Sequence, residues 1–218
     1  MSKAKRNTVI AVVCTVLVVA LLGSLVAYSS LVTSGYFLRN TVVATTENYA
    51  VDNAVFSYFF HKYYQEFNNT YGYYFPINAN VSLKGQACSL YNDGSTWFDF
   101  FAANAKSTLS NTLAFCEEAK ARGIALTEED YEDIDNAIAS IKVAAKQAGV
   151  TVSYYTHAMF GSGVNQKDLR RALELSVLAS KCNQAIIESY NYTEADFNKY
   201  IEENPSALLY AEYAAFDM

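Results

Sequence analysis

Residues 96–123 read TWFDFFAANAKSTLSNTLAFCEEAKARG, and they set the architecture of the chain. Phe98, Phe101, Ala105, Leu109, Leu113 and Cys116 follow one another at steps of three and four, which lines one face of an α-helix. Thr96 with Asp99 three residues on is a capping-box pattern, in which each side chain satisfies an orphan backbone N–H of the first turn. Gly123 supplies the stop, because glycine takes the left-handed cap conformation without a Cβ penalty.

The same grammar recurs downstream. Thr127 with Asp130 opens a helix whose stripe is Tyr131, Ile134, Ile138, Ile141, Ala145 and Ala148, ended by Gly149. Residues 153–160 form a short amphipathic piece closed by Gly161-Ser162-Gly163. Asn165 with Asp168 opens the next helix. Its apolar residues Leu169, Leu173, Leu175, Val177, Leu178, Cys182 and Ile186 cover more than one face, which predicts a central position. Thr193 with Asp196 opens a last short helix that Pro205 closes, and residues 207–216 (ALLYAEYAAF) turn strand-like.

Upstream, a helical pattern starts at Asp52. Phe56, Phe59, Phe60, Tyr63 and Phe67 fall on one stripe that ends near Asn68-Asn69. Residues 56–75 hold eleven aromatics, and Tyr58, Tyr64, Tyr71, Tyr73 and Tyr74 lie off that stripe. Residues 78–95 read as a loop with a turn at Asn92-Asp93-Gly94. Residues 41–49 (TVVATTENY) are β-prone, as a short strand or an extended arm, and residues 35–40 read as a short linker.

Residues 8–32 (TVIAVVCTVLVVALLGSLVAYSSLV) carry no charge over 25 positions. As a helix they would extend about 37 Å, enough for a hydrocarbon core of about 30 Å. Lys3, Lys5 and Arg6 precede them, which by the positive-inside rule predicts a cytoplasmic N-terminus and an exported remainder. Tyr28 and Tyr36 fall at the expected outer interface. A cleaved signal peptide is the competing reading, with Ala27-Tyr28-Ser29 as its small-x-small site; the length of the run favours an uncleaved anchor.

The 218-residue chain has 22 acidic and 16 basic residues, a net charge of −6. With three of the basic groups ahead of the apolar run, the remainder carries −9, a balance that argues against nucleic acid. Cys88, Cys116 and Cys182 are odd in number and contain no CxxC, so no disulfide scaffold is expected. A Cys88–Cys116 or Cys116–Cys182 bridge stays open, with buried thiols the default for the two in helical segments. His61 and His157 stand apart from any zinc-spaced cluster, and no metal or cofactor is expected. Gly161-x-Gly163 lacks the strand, third glycine and Lys-Ser/Thr of a phosphate loop, and no G-x-S-x-G elbow occurs.

The order of elements resembles the SurA N-terminal-like domain of exported parvulin-type foldases and chaperones, including the PrsA-like proteins of Gram-positive bacteria. The matching residues are Thr96-Trp97-Phe98-Asp99, the helix end at 117–123, Leu126-Thr127-Glu128-Glu129-Asp130 and Phe160-Gly161-Ser162-Gly163-Val164-Asn165. They continue with Leu173-Glu174-Leu175, Tyr192-Thr193-Glu194-Ala195-Asp196 and Tyr200-Ile201-Glu202-Glu203-Asn204. The resemblance implies a mainly α protein: a basic tail (1–7), a transmembrane signal anchor (8–32), a linker and extended arm (33–50) and a helical SurA-N-like domain (51–205). Residues 206–218 would then be the strand-like start of a following domain. A parvulin domain, with its paired His and proline pocket, is expected to be lacking, since 13 residues follow Pro205.

Three functions follow from this reading. The first is a cell-membrane chaperone-like protein that binds unfolded or exported polypeptides without bond chemistry, Tyr58, Tyr64, Tyr71, Tyr73 and Tyr74 lining its groove; tyrosines bury large area at low entropy cost and tolerate polar partners. The second is the N-terminal part of a peptidyl-prolyl isomerase. The third is a structural module in which two chains pair as a homodimer.

Overall fold

The computed structural model describes residues 3–190 and 193–205; the strand-like expectation at 207–216 and the matching residue Tyr192 lie outside them. Eight α-helices, one small hairpin and one 3-10 turn (Leu83–Gly85) are the regular elements of the described residues. Helix α1 (Lys3–Thr33) carries the apolar run. Its Cys14–Thr33 portion, 20 residues with a mean hydropathy of 2.2, is long and apolar enough to cross a membrane, and all of its residues are exposed. Helix α2 (Tyr36–Arg39) follows after two residues. Strands β1 (Val42–Thr45) and β2 (Ala50–Asp52) pair antiparallel, Ala44 opposite Val51 and Thr45 opposite Ala50, with a bulge between Val42 and Ala44.

The body is built from α3 (Asn53–Tyr71), α4 (Trp97–Ala121), α5 (Glu128–Gln147), α6 (Val152–Phe160) and α7 (Gln166–Ser189). Helix α7 packs on α3, α4 and α5, which is why its apolar residues spread over more than one face. The capping boxes form as spaced in the sequence: Thr96/Asp99, Thr127/Asp130 and Asn165/Asp168, and Thr193/Asp196 on the outlying helix α8 (Glu194–Glu203). Helix α4 ends in a Schellman motif. The Ile124 N–H donates to Ala119 C=O at 2.8 Å and the Gly123 N–H to Lys120 C=O at 3.1 Å, with Gly123 at φ +69°.

The core is aromatic. Phe101, fully buried on α4, meets Tyr64, Phe67 and Trp97 with ring centroids 5.2, 5.4 and 5.7 Å away, and Phe60 at 6.2 Å. These distances fit the 4.5–7 Å at which rings attract beyond their buried area. Trp97, off the stripe read from the sequence, is 2% exposed.

The stretch read as a linker is structured. Arg39 reaches from α2 to Asp168 at the start of α7, Nε donating to Oδ1 at 2.9 Å and an Nη to Oδ2 at 2.6 Å, and it also donates to the Gly163 carbonyl at 2.9 Å. Asp168 is 1% exposed and also accepts the Asn165 N–H. The hairpin is tied down likewise. Asp52 caps α3 through the Ala54 and Val55 N–H groups and pairs with Arg171 at 2.6 Å. Of the two readings of residues 41–49, the short strand forms rather than the extended arm: β1 pairs with β2 in a hairpin whose polar groups have fixed partners on α4 and α7.

Candidate functional site

The five off-stripe tyrosines do not form one wall. Tyr58 is buried: its ring stacks on Phe160 of α6 at 5.7 Å, and burial pushes its phenol above the ordinary value, with Glu66 adding to the effect. The expectation that Tyr58 lines an open groove is corrected, because α6 covers the side of α3 that a single-stripe reading leaves to solvent. Tyr64 is half-buried and stands edge-on to Phe101, as part of the core. Tyr71 leans on Phe67 at 5.4 Å and is half exposed. Tyr73 (92% exposed) and Tyr74 (73%) project from the turn after α3, with their rings packed on each other.

A cleft of about 430 Å³ opens instead where the β hairpin, the α4–α5 turn and α7 meet. Tyr49, Ile124, Leu126, Tyr131, Leu175 and Leu178 form its apolar wall. Lys120, Arg171 and Glu174 stand on its rim. Local rules position each side. The Schellman end of α4 throws Ile124 across the helix terminus, and the Thr127 cap turns the chain into α5 two residues after Leu126. On the opposite side the β1–β2 turn is pinned to α4. Asn48 donates its backbone N–H to Glu117 Oε1 at 2.8 Å, its side chain bonds Glu117 and Lys120, and Tyr49 Oη donates to Cys116 C=O at 3.4 Å. Hydrogen bonds from Thr46 and Asn48 hold the Glu117 carboxyl below its ordinary value. The one sequence signal for this cleft was Gly123-Ile124-Ala125-Leu126, two aliphatics in a connection where polar residues are usual.

The wall is aliphatic and phenolic and the rim holds charges of both signs, the chemistry of seating an apolar side chain of a larger ligand. A second groove, of about 390 Å³, runs between α3, α4 and α7, with Tyr63 and Phe115 beside Asn111, Ser180 and Asn183. None of the five tyrosines lines either one. Among the described residues no group of three or more His, Cys, Asp or Glu is placed to hold a metal ion. Cys88, Cys116 and Cys182 are buried free thiols, and burial, with Cys182 and Glu117 nearby, pushes the Cys116 thiol up to about 11. No family model, curated protein or solved structure matches the chain.

Proposed function

We propose that the chain is a membrane-anchored, extracytoplasmic chaperone-like protein that binds unfolded polypeptides without bond chemistry of its own. The observation that carries this reading is the cleft at the α4–α5 turn, an open aliphatic and tyrosine-lined surface, in a chain that also carries an apolar helix long enough to span a bilayer. Apolar walls with few directional groups select weakly among sequences, as a binder of unfolded chains requires. The exposed Tyr71, Tyr73 and Tyr74 add amphipathic contact area on a second face. The basic residues Lys3, Lys5 and Arg6 before the span support an exported body. The resemblance to SurA N-terminal-like modules supports the same assignment.

The test is light scattering from a chemically unfolded model enzyme, diluted into buffer with the full-length protein in nanodiscs. Stoichiometric protein should suppress aggregation. Leu126→Asp should weaken client binding by about tenfold, since one buried leucine is worth about 1.5–3 kcal/mol. Undiminished scattering at several-fold molar excess of the wild-type protein would remove the proposal.

A further inference from the structure

Only Ser34 and Gly35 separate the end of α1 from α2, and helical hydrogen bonding runs through them. The Ser34 N–H donates to Ser30 C=O at 2.9 Å, the Gly35 N–H to Val32 C=O at 3.0 Å and the Arg39 N–H to Gly35 C=O at 3.1 Å. The α6–α7 turn sits directly on this junction. A Cβ on Gly35, whose φ is +74°, would lie 2.2 Å from the Gly163 carbonyl oxygen; one on Gly163, at φ +88°, would lie 2.6 Å from Gly35 Cα and 3.1 Å from Val32 O. Two backbones touch there only because neither residue has a side chain. Arg39 locks the contact by its two bonds to the buried Asp168 and its third to Gly163. On the outer side of the joint three exposed rings gather. Phe37 stands 5.9 Å from Tyr28 and 5.6 Å from Tyr36, each at least 44% exposed.

We infer that the body does not hang from its anchor but lies on the bilayer: α2 and the α6–α7 turn form a membrane-apposed face whose partner is the lipid headgroup layer, with Tyr28, Tyr36 and Phe37 seated in it. The inference rests on reading α1 as a membrane span. The uncharged run at 8–32 would extend about 37 Å against a hydrocarbon core of about 30 Å; seated centrally, its last residues and Thr33 fall in the outer headgroup layer. The headgroup region adds about 5–8 Å on each side, and Tyr36 and Phe37 follow Thr33 by three and four residues. Tyrosine and phenylalanine exposed there meet the amphipathic layer in which membrane aromatics concentrate. The glycine contact leaves no slack by which the turn at 161–163 could stand off.

The experiment uses full-length protein with Cys14→Ser, reconstituted into phosphatidylcholine vesicles that contain a headgroup nitroxide. A fluorophore is placed at Ser162→Cys in the exposed turn, or at Glu129→Cys on α5. Glu129 adjoins Asp130, which pairs with Lys181, 15 residues or about 22 Å along α7 from Gln166. The Ser162 probe should be quenched at least threefold more strongly than the Glu129 probe. Gly163→Val should reduce the difference while the protein still floats with the vesicles. Equal, weak quenching at both positions in vesicle-bound wild-type protein would overturn the apposed face and leave the span intact. A Ser162 probe shielded from both nitroxide and aqueous iodide would overturn it in favour of a second copy on this face. Failure to float with vesicles would remove the span and the inference together.

Discussion

His61 lies beneath the α6–α7 turn, where a Cβ on Gly161 would come within 3.0 Å of its ring. Burial holds its imidazole below the ordinary value, opposed by its hydrogen bond with the Ser57 carbonyl at 2.8 Å. A base with a depressed folded pKa is protonated more readily in the unfolded chain. Its contribution to stability is therefore complete above about pH 6.5 and lost as pH falls toward the folded value. Thermal unfolding of the detergent-solubilised protein should drop between pH 7.5 and 5, and His61→Gln should flatten that slope; an unchanged slope would assign the effect to other groups. At this scale spacing is legible in the residues and coverage is not. Tyr58 and Tyr73 both lie off the α3 stripe, yet one is stacked on Phe160 and the other is almost wholly exposed, because α6 returns over the first and nothing in the described chain covers the second.

The helix ends were legible because they are local. A capping box needs only a Thr or Asn and an Asp three residues on, and each box read from the sequence forms. The one at α5 extends further: Lys181 of α7 pairs with Asp130, and Lys181 and Thr127 together hold that carboxyl down to about 2. Thr127→Ala removes the acceptor for the Asp130 N–H and should cost about 1 kcal/mol in urea unfolding, with Thr127→Ser restoring most of it. A loss shared by both variants would argue that the methyl packing matters instead. Among the elements not read from the sequence is α2. Four residues have no periodicity to read, and what holds them is an ion pair to a residue 129 positions away.

Over the whole molecule, the mainly helical architecture followed from apolar spacing and caps, whereas the cleft did not. Its walls come from the hairpin, the α4–α5 turn and α7, three segments that only tertiary packing brings together. The aromatic cluster centred on Phe101 ties α3 to α4. Phe101→Ala should destabilise by about 3–5 kcal/mol, a large part of the roughly 5–15 kcal/mol that holds a domain together, and should broaden the near-ultraviolet circular dichroism of Trp97 stacked on it. A loss below about 1 kcal/mol would mean that the neighbouring rings refill the space. The joint at Gly35, Gly163 and Arg39 has a mechanical corollary. Tension applied to the helical body passes into α1 through two touching backbones and one guanidinium rather than being absorbed by an extensible tether. With α1 seated in a bilayer, as proposed, the protein would act as a bracket, not a leash, its height above the lipid set by its own girth.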